Sequence, residues 1–510
     1  MSGRDFRERH TPKRQRNALF WDMKLTLRLN PKRLLRWHLR LAERLSRRPD
    51  TQVAVEWNAS SAPLPSAISL LFTLERLIYG LPDGDVTAAA TVENFSAFQA
   101  GAGTADLVID FTGGTPPAGA RTWRVTFDQV ADEAAAFAAL AQWRTPVVEI
   151  IDAATGAAIV RGHPGTEAAG IFTLALRDVL ARTATLVVAA LDGASARNVE
   201  GEMKAAVPDG AAIANFSMRS LARAAIRWLY HLCYNGPHWR VGWRFVDGAD
   251  VIDLRAHPPS GWRDLPDDRR RFYADPFPIE ADGRMYLFVE DFAHALGRGV
   301  ISVVEFDHQG PVGTPRPVLD TGSHLSYPFV FAHRGAIWMI PESGQAGTVD
   351  LYRAQSFPGE WVKEATLLSG IVASDATLLA HGGCWWMFAT VRDGGGDHSD
   401  ALHIWSAPDI VGPWQPHRRN PVLVDIAAAR PAGRIVRRGG KLVRPIQDCR
   451  DGYGAALGLA DITQLDDEGF AQRVETVLRA GPQWPGRRLH TLNRAGRLEC
   501  IDGSASARRF

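Results

Sequence analysis

Five stretches in the C-terminal half of this chain repeat one pattern: "YADPFPIEADGRMYLFVED", "SYPFVFAHRGAIWMIPES", "SDATLLAHGGCWWMFATV", "ARPAGRIVRRGGKLVRPIQD" and "LHTLNRAGRLECIDG". Each opens on a polar or Pro-containing step, runs through a short apolar strand and a Gly turn, and returns as a second strand rich in Trp, Tyr, Met or Leu. The leading residues Asp275, Tyr327, Asp375, Arg430 and His490 follow one another at 52, 48, 55 and 60 residues. A period near fifty, built of hairpins with little helix signal, predicts a β-propeller of roughly four-stranded blades. Five units predict five blades. The last unit is too short for four strands, so "HWRVGWRFVDGADVIDL", just ahead of the first unit, is expected to supply the missing ones and close the ring. The innermost strands of a propeller surround one channel, so the five leading residues are expected to converge there. Glu290 and Asp291, at the end of the first hairpin, read as rim or turn residues.

The chain divides into a basic arm (1–50), an α/β region (51–205), a helical linker (206–236) and the propeller (237–510). In the α/β region, strand-like "TQVAVEWN", "ADLVIDFTGG" and "TPVVEIID" alternate with helix-like "SAISLLFTLERLIYG" and "ADEAAAFAALAQW". That alternation predicts a parallel, Rossmann-like layered domain. Without a GxGxxG no dinucleotide site is indicated.

Charge is uneven: residues 1–48 carry 15 Lys/Arg against four Asp/Glu, leaving 43 against 52 for the rest. Within the arm, Leu34, Leu35, His38, Leu41, Ala42 and Leu45 share one helical face and seven Lys/Arg the other. Such a helix either lies on an anionic membrane surface or docks on its own protein. No basic stripe extends it, which argues against nucleic acid. The segment Ala168 to Leu191 is broken by Arg177, Asp178 and Arg182 and reads as a buried helix, not a span. Four scattered cysteines form no CxxC pair, so neither a zinc site nor a disulfide framework is expected. With no secretory signal pattern, the expected location is the cytoplasm, with peripheral contact at the inner membrane face through residues 31–48.

The motifs "YADPF", "HLSYPFVF", "MIPES", "SDATLL", "ARPAG", "RPIQDCRDGYG" and "LHTLN" resemble, in combination, the five-bladed propellers of the arabinanase, invertase and levansucrase glycosidases. They are more similar still to the N-terminal propeller of glucosamine inositolphosphorylceramide transferase and its bacterial relatives. The α/β region weakly resembles a formyltransferase-type domain, though its one histidine, His163, falls in a late "GHPG" turn and leaves that chemistry without its acid–base centre. The glycosidase resemblance implies that Asp275 acts as base or nucleophile and that Asp375 supports the transition state. It also implies a fourth-blade glutamate as acid, where this chain has Arg430. Glu342, in the second blade, is the reserve acid.

An ordinary glycoside needs a protonated leaving group, whereas a phosphate leaves without one and needs cationic donors instead. Arg430, Arg444 and His490 therefore point to a glycosyltransferase using a phosphate-linked donor, with a glycan or glycolipid as acceptor. A furanoside or fructan hydrolase and a non-catalytic glycan-binding module are the alternatives. His324, Tyr327, Gln447 and Trp386 complete the expected substrate-binding set; Trp338 and Trp385 are further stacking candidates, and Trp338 and one of the adjacent Trp385–Trp386 pair read better as blade core, since alternate strand residues point between blades. No cofactor or metal is called for.

Overall fold

A computed structural model of the chain describes residues 23–59, 66–82, 85–99, 104–194 and 210–509. Residues 1–22 of the arm and 206–209 of the linker lie outside them. The N-terminal unit runs β1 (Met23–Leu29), α1 (Arg36–Ser46), β2 (Thr51–Trp57), α2 (Ser66–Tyr79), β3 (Leu107–Asp110), β4 (Arg121–Phe127), α3 (Ala134–Ala141), β5 (Val148–Asp152), β6 (Ala158–Gly162), α4 (Phe172–Leu191) and α5 (Gly210–Cys233). Its strands form one sheet in the order β2-β1-β3-β4-β5-β6. The first four are parallel, but β5 and β6 join antiparallel. The expected parallel, Rossmann-like sheet is therefore replaced by a mixed one. The turn between β5 and β6 is too short for the crossover that a parallel pair requires.

The arm does not stand apart. β1 pairs with both β2 and β3 inside the sheet, and Trp37, His38, Leu41, Ala42 and Leu45 of α1 are buried in the same core as α4. The apolar face of α1 is thus covered by its own protein, and no apolar surface is left there to enter lipid. Of the two readings of that helix, the structure has the docked one.

The remainder is a ring of five blades. The first comprises Arg271–Ala281, Arg284–Ala293, Arg298–Phe306 and Pro311–Leu319; the second Ser326–His333, Ala336–Glu342, Thr348–Ser356 and Glu360–Ser369. The third is built on Ala373–His381, Cys384–Val391 and Ala401–Ala407, and the fourth on Val436–Arg438, Lys441–Asp448, Ala456–Asp466 and Gly469–Leu478. The fifth takes Leu492–Ala495 and Leu498–Ser504 from late in the chain, and Trp239–Phe245 and Arg263–Asp264 from before blade one. Leu498 to Ser504 pair residue by residue with Phe245 to Trp239, closing the ring.

The inner hairpins of blades one to four turn on Asp282-Gly283, Arg334-Gly335, Gly382-Gly383 and Gly439-Gly440, each with positive φ at both positions. That is the two-residue turn whose twist matches the flanking strands, and it explains the recurring Gly of the repeat.

The two units are joined by a buried seam. Arg182 of α4 is fully buried, with Nε 2.7 Å from Asp400 Oδ1 and Nη2 on the carbonyls of Val391 and Asp397. Asp400 Oδ2 accepts the Gly165 N–H at 2.8 Å. His163 extends the line of β6 into a parallel bridge with Asp425 of the propeller. Removing one member of a buried pair strands the other without its counter-charge. Arg182→Ala is expected to lower unfolding free energy in urea by about 3–5 kcal/mol, and Arg182→Met with Asp400→Asn to recover most of it.

Candidate active site

Backbone register defines two columns of residues around the propeller axis. On the second strands, Glu290 pairs with Ala274, Glu342 with Ser326 and Thr390 with Ser374. Gln447 donates its N–H to the Arg430 carbonyl, and Asp502 lies one step beyond the Leu492–Ile501 pair. The second-strand column is therefore Glu290, Glu342, Thr390, Gln447 and Asp502, at intervals of 52, 48, 57 and 55.

On the first strands, Asp275, Tyr327 and Asp375 sit where the pairing slips, with φ of 49°, 42° and 59°. A non-glycine residue in the left-handed region costs energy and persists only where its surroundings enforce it. Here each N–H left without a ladder partner is capped by a carboxylate from the adjacent part of the ring. Asp275 N donates to Asp502 Oδ2 (2.8 Å), Tyr327 N to Asp275 Oδ2 (3.1 Å) and Asp375 N to Glu342 Oε2 (3.0 Å).

The charges are arranged in two groups. In one, His490 Nδ1 donates to Asp502 Oδ1 at 2.6 Å, and its Nε2 stands 3.7 Å from Asp275 Oδ1, which also accepts the Thr491 hydroxyl at 3.0 Å. The imidazole stacks on Trp239 at 4.2 Å, with Tyr453 edge-on at 5.2 Å. In the other, Arg430 Nε and Gln447 Nε2 both donate to Asp375 Oδ2, at 2.6 and 2.9 Å. Arg430 also reaches Ser399 and lies over the Tyr453 ring at 4.7 Å.

Burial lifts the Asp275 carboxyl to about 6, the His490 cation opposing and the charges of Asp502 and Asp375 adding to the rise. Glu290 and Glu342 are both pushed well above the carboxylate range, first by burial and then by neighbouring carboxylates. His490 itself is raised: burial pulls it down, but Asp502 and Asp275 outweigh that. Asp275 and Asp375 are 4% and 2% exposed, while the Glu342 and His324 side chains keep 16% and 25%.

Of the residues expected from the repeat, Asp275, Asp375, Glu342, Arg430, Gln447 and His490 converge. Arg430 and His490 do so from one and two steps earlier in the strand register than Asp275, so they are not its strict equivalents. His324 joins through Glu290, 3.7 Å away, while its Nδ1 accepts the Gly299 N–H.

Three others do not serve as expected. Tyr327 is fully buried, its hydroxyl bonded to Thr377 and to the Gly433 N–H at 2.8 Å each, so its ring is no stacking platform. Arg444 is locked on the Ala428 and Ala429 carbonyls and Gln472 within blade four. Trp386 fills the core beside Phe388 and Phe470, its indole N–H on the His381 carbonyl; Trp338 and Trp385 are likewise packed against interblade core. The aromatic residues at the axis are Trp239 and Tyr453.

Glu290, Asp502 and Tyr453 were not expected there. The signal for the first two is the acidic or polar position of the second strand in "FVED", "IPES", "PIQD" and "CIDG". Asp291, by contrast, is a structural acid bound to Arg271 and Ser302. Asp275, His490 and Asp502 each bring a ligand-type atom within 4.8 Å of the others. Both Asp502 oxygens and His490 Nδ1 are already engaged in hydrogen bonds, while His490 Nε2 stands 3.7 Å from Asp275 Oδ1, beyond hydrogen-bond distance.

Five sheets, four of them four-stranded and the third five-stranded, closed around a buried acid-lined axis define this half of the chain as a five-bladed β-propeller with an axial polar site. Residues 267–501 match the family model described as glucosamine inositolphosphorylceramide transferase 1, N-terminal, in agreement with the resemblance carried by the motifs. Glucosamine inositolphosphorylceramide transferase 1 of Arabidopsis thaliana is 32% identical over 262 residues, covering 49% of this chain and 33% of that protein. The protein of the same name from Oryza sativa subsp. japonica is 33% identical over 231 residues, covering 44% and 31%. The chain thus spans about a third of the length of these curated relatives. Among solved structures, Zg3597, a family 117 glycoside hydrolase of Zobellia galactanivorans, aligns at 12% identity with a TM-score of 0.35 over 54% of this chain and 92% of that one. A GH43_1 enzyme from Xanthomonas citri aligns at 14% identity and 0.34, over 44% and 80%.

The raised Asp275 favours folding while it is protonated: that stabilisation is full below its ordinary 3.8 and is lost as pH rises through about 6. In carbon-13 NMR of labelled aspartate, Asp275 is expected to titrate near 6. His490→Asn, which removes the opposing cation, should move that midpoint upward; a midpoint unchanged or lowered would contradict the assigned electrostatics.

Proposed function

We propose that the axial site moves a glycosyl group from a phosphate-linked donor to a cell-envelope glycan or glycolipid, at the cytoplasmic side of a membrane. The observation that carries this reading is Asp275. It is buried, aimed into the shaft by a capped left-handed backbone, and raised to about 6, hence ionised near neutrality yet basic enough to take a proton. In this role Asp275 accepts the proton of an acceptor hydroxyl as that oxygen attacks the anomeric carbon. The carbon–oxygen bond to phosphate breaks, and its electron pair leaves with the phosphate. Asp375, fixed by Arg430 and Gln447, faces the positive charge that develops on the sugar ring. The resemblance of residues 267–501 to a transferase region supports transfer.

The phosphate needs cations other than Arg430 and Arg444, whose donors are committed to Asp375, Ser399 and backbone carbonyls. A cleft of ≈ 510 Å³ lies beside the axis, lined by Trp143, Arg144 and Arg223 from the α/β unit, by Arg450 and Arg479 from blade four, and by Glu167 and Asp451. Its inner wall is Cys449, whose sulfur is 3.9 Å from Gln447 Oε1, one residue from Asp375. Arg144, Arg450 and Arg479 are ion-paired there to Asp128, Asp448 and Asp451, and Arg223 lies over the Trp143 ring, so a phosphate in this cleft would compete with those carboxylates for the first three guanidinium groups.

A second reading, glycoside hydrolysis, is favoured by Glu290 and Glu342. Burial and neighbouring carboxylates raise both above the ordinary range, the direction a general acid for a poor leaving group requires, although blade four lacks such a residue. Here water is the nucleophile, Asp275 takes its proton, and a glutamic acid gives one to the departing oxygen. Asp275→Asn is expected to keep the fold and cut turnover at least about 100-fold under either reading. Glu342→Gln separates them: with a phosphate-linked donor the rate should change little, whereas hydrolysis of an unactivated glycoside should fall about 10²–10⁴-fold. Glycan binding with no turnover on either substrate class would overturn both.

A further inference from the structure

Helices α2 and α5 are apolar on the side that faces away from the protein. On α2, Ile68, Leu71, Phe72 and Glu75 point inward, Glu75 accepting the Phe172 and Thr173 N–H groups at the start of α4. The opposite face presents Leu70, Leu74, Leu77 and Ile78, with Leu77 82% exposed. On α5, Ile213, Phe216 and Ser220 are buried. At 100° per residue, Met218, Leu221, Ile226, Trp228, Leu229 and Leu232 fill one continuous arc on the other side, and all are exposed. A surface helix of a water-facing protein carries polar residues there; apolar residues on both faces mean that a second apolar medium covers the outer one.

The two helices touch each other, so their outer faces form one surface. With Tyr230 at its edge, that surface holds eleven of the twenty exposed large hydrophobic residues in the described structure. Scattered apolar residues need no explanation, but such a concentration does. Its border is cationic: Arg219, Arg223 and Arg227 recur every fourth residue along one side of the α5 arc, and Arg219 and Arg223 lie over the Trp143 ring at 5.2 and 5.3 Å.

We infer that α2 and α5 form a membrane-docking face that lies in the interface of an anionic bilayer. Leu and Ile side chains would enter the acyl boundary, Trp228 and Tyr230 the headgroup level, and Arg219 and Arg227 would meet lipid phosphates. No described helix is long and apolar enough to cross a membrane, so the contact is in the plane. The charge border favours lipid over a protein groove, which calls for an apolar partner without a row of anions. This face is separate from α1, whose apolar side is in the core, and the inference stands independently of the chemistry proposed for the axis.

The test is flotation of the full chain with vesicles of phosphatidylcholine alone and with 30% phosphatidylglycerol, beside size-exclusion light scattering. The expected result is co-flotation with the anionic vesicles. Leu77→Glu with Leu229→Glu should weaken it at least about ten-fold, since each places a charge in the buried layer. Arg219→Glu with Arg227→Glu should abolish the preference for anionic lipid, and Arg47→Glu on α1 should have no effect. All five side chains are exposed or terminal, and circular dichroism checks that the variants fold. No flotation with either vesicle, flotation insensitive to the α2 and α5 changes, or a dimer that dissociates on Leu77→Glu with Leu229→Glu while lipid binding is absent would each overturn the inference, the last in favour of a second copy as the occupant.

Discussion

A carboxylate accepting the backbone N–H of the next strand's irregular residue is the contact on which the axial architecture rests. Asp502 does this for Asp275, Asp275 for Tyr327, and Glu342 for Asp375. A left-handed aspartate or tyrosine inside a strand is unfavourable alone, and a buried carboxylate without donors is unfavourable alone. Each offsets the other's cost. The pairing also aims the side chain that follows the slip into the shaft, so the groups that hold the blades in register are the groups available for chemistry. Structure and reactivity cannot be separated residue by residue at this axis.

Much of this was legible in sequence because the repeat is written in backbone requirements. Two-residue Gly turns, alternating strands and a polar leading step recur where the hairpins recur, and they located Asp275, Tyr327 and Asp375 in true register. What the repeat did not disclose is the column on the returning strand. Glu290 and Asp502 stand beside turn-like acids such as Asp291, and only cross-strand pairing tells which acid faces the axis. Arg444 and Trp386 show the converse: an arginine and a tryptophan suited to ligand binding by type are consumed by unpaired carbonyls and by the space between blades. Helix α1 had two equally good partners on its pattern alone. Position of β1 within the sheet, a long-range fact, decided between them.

The α/β unit is fastened to the propeller through Arg182 and through the strand-like bridge at His163. Such a seam, with a fully buried ion pair and backbone hydrogen bonds across it, makes a rigid joint, not a flexible tether. It brings Trp143 and Arg223 to the edge of the axial site, and it fixes the angle at which α2 and α5 are held relative to the shaft. Any surface that those helices contact is therefore presented to the axial opening in one orientation.

Blade five is assembled from strands nearly the whole propeller apart in sequence, Trp239–Phe245 lying beside Leu498–Ser504. The last of these strands also delivers Asp502, and the loop before it delivers His490 and Thr491. During synthesis, Asp275 has left the ribosome more than two hundred residues before the partner that caps it exists. The nascent ring is thus chemically incomplete however well its first four blades have folded. Closure of the ring and completion of its axial cluster arrive in the same event, so a partly made chain carries Asp275 without the groups that hold it.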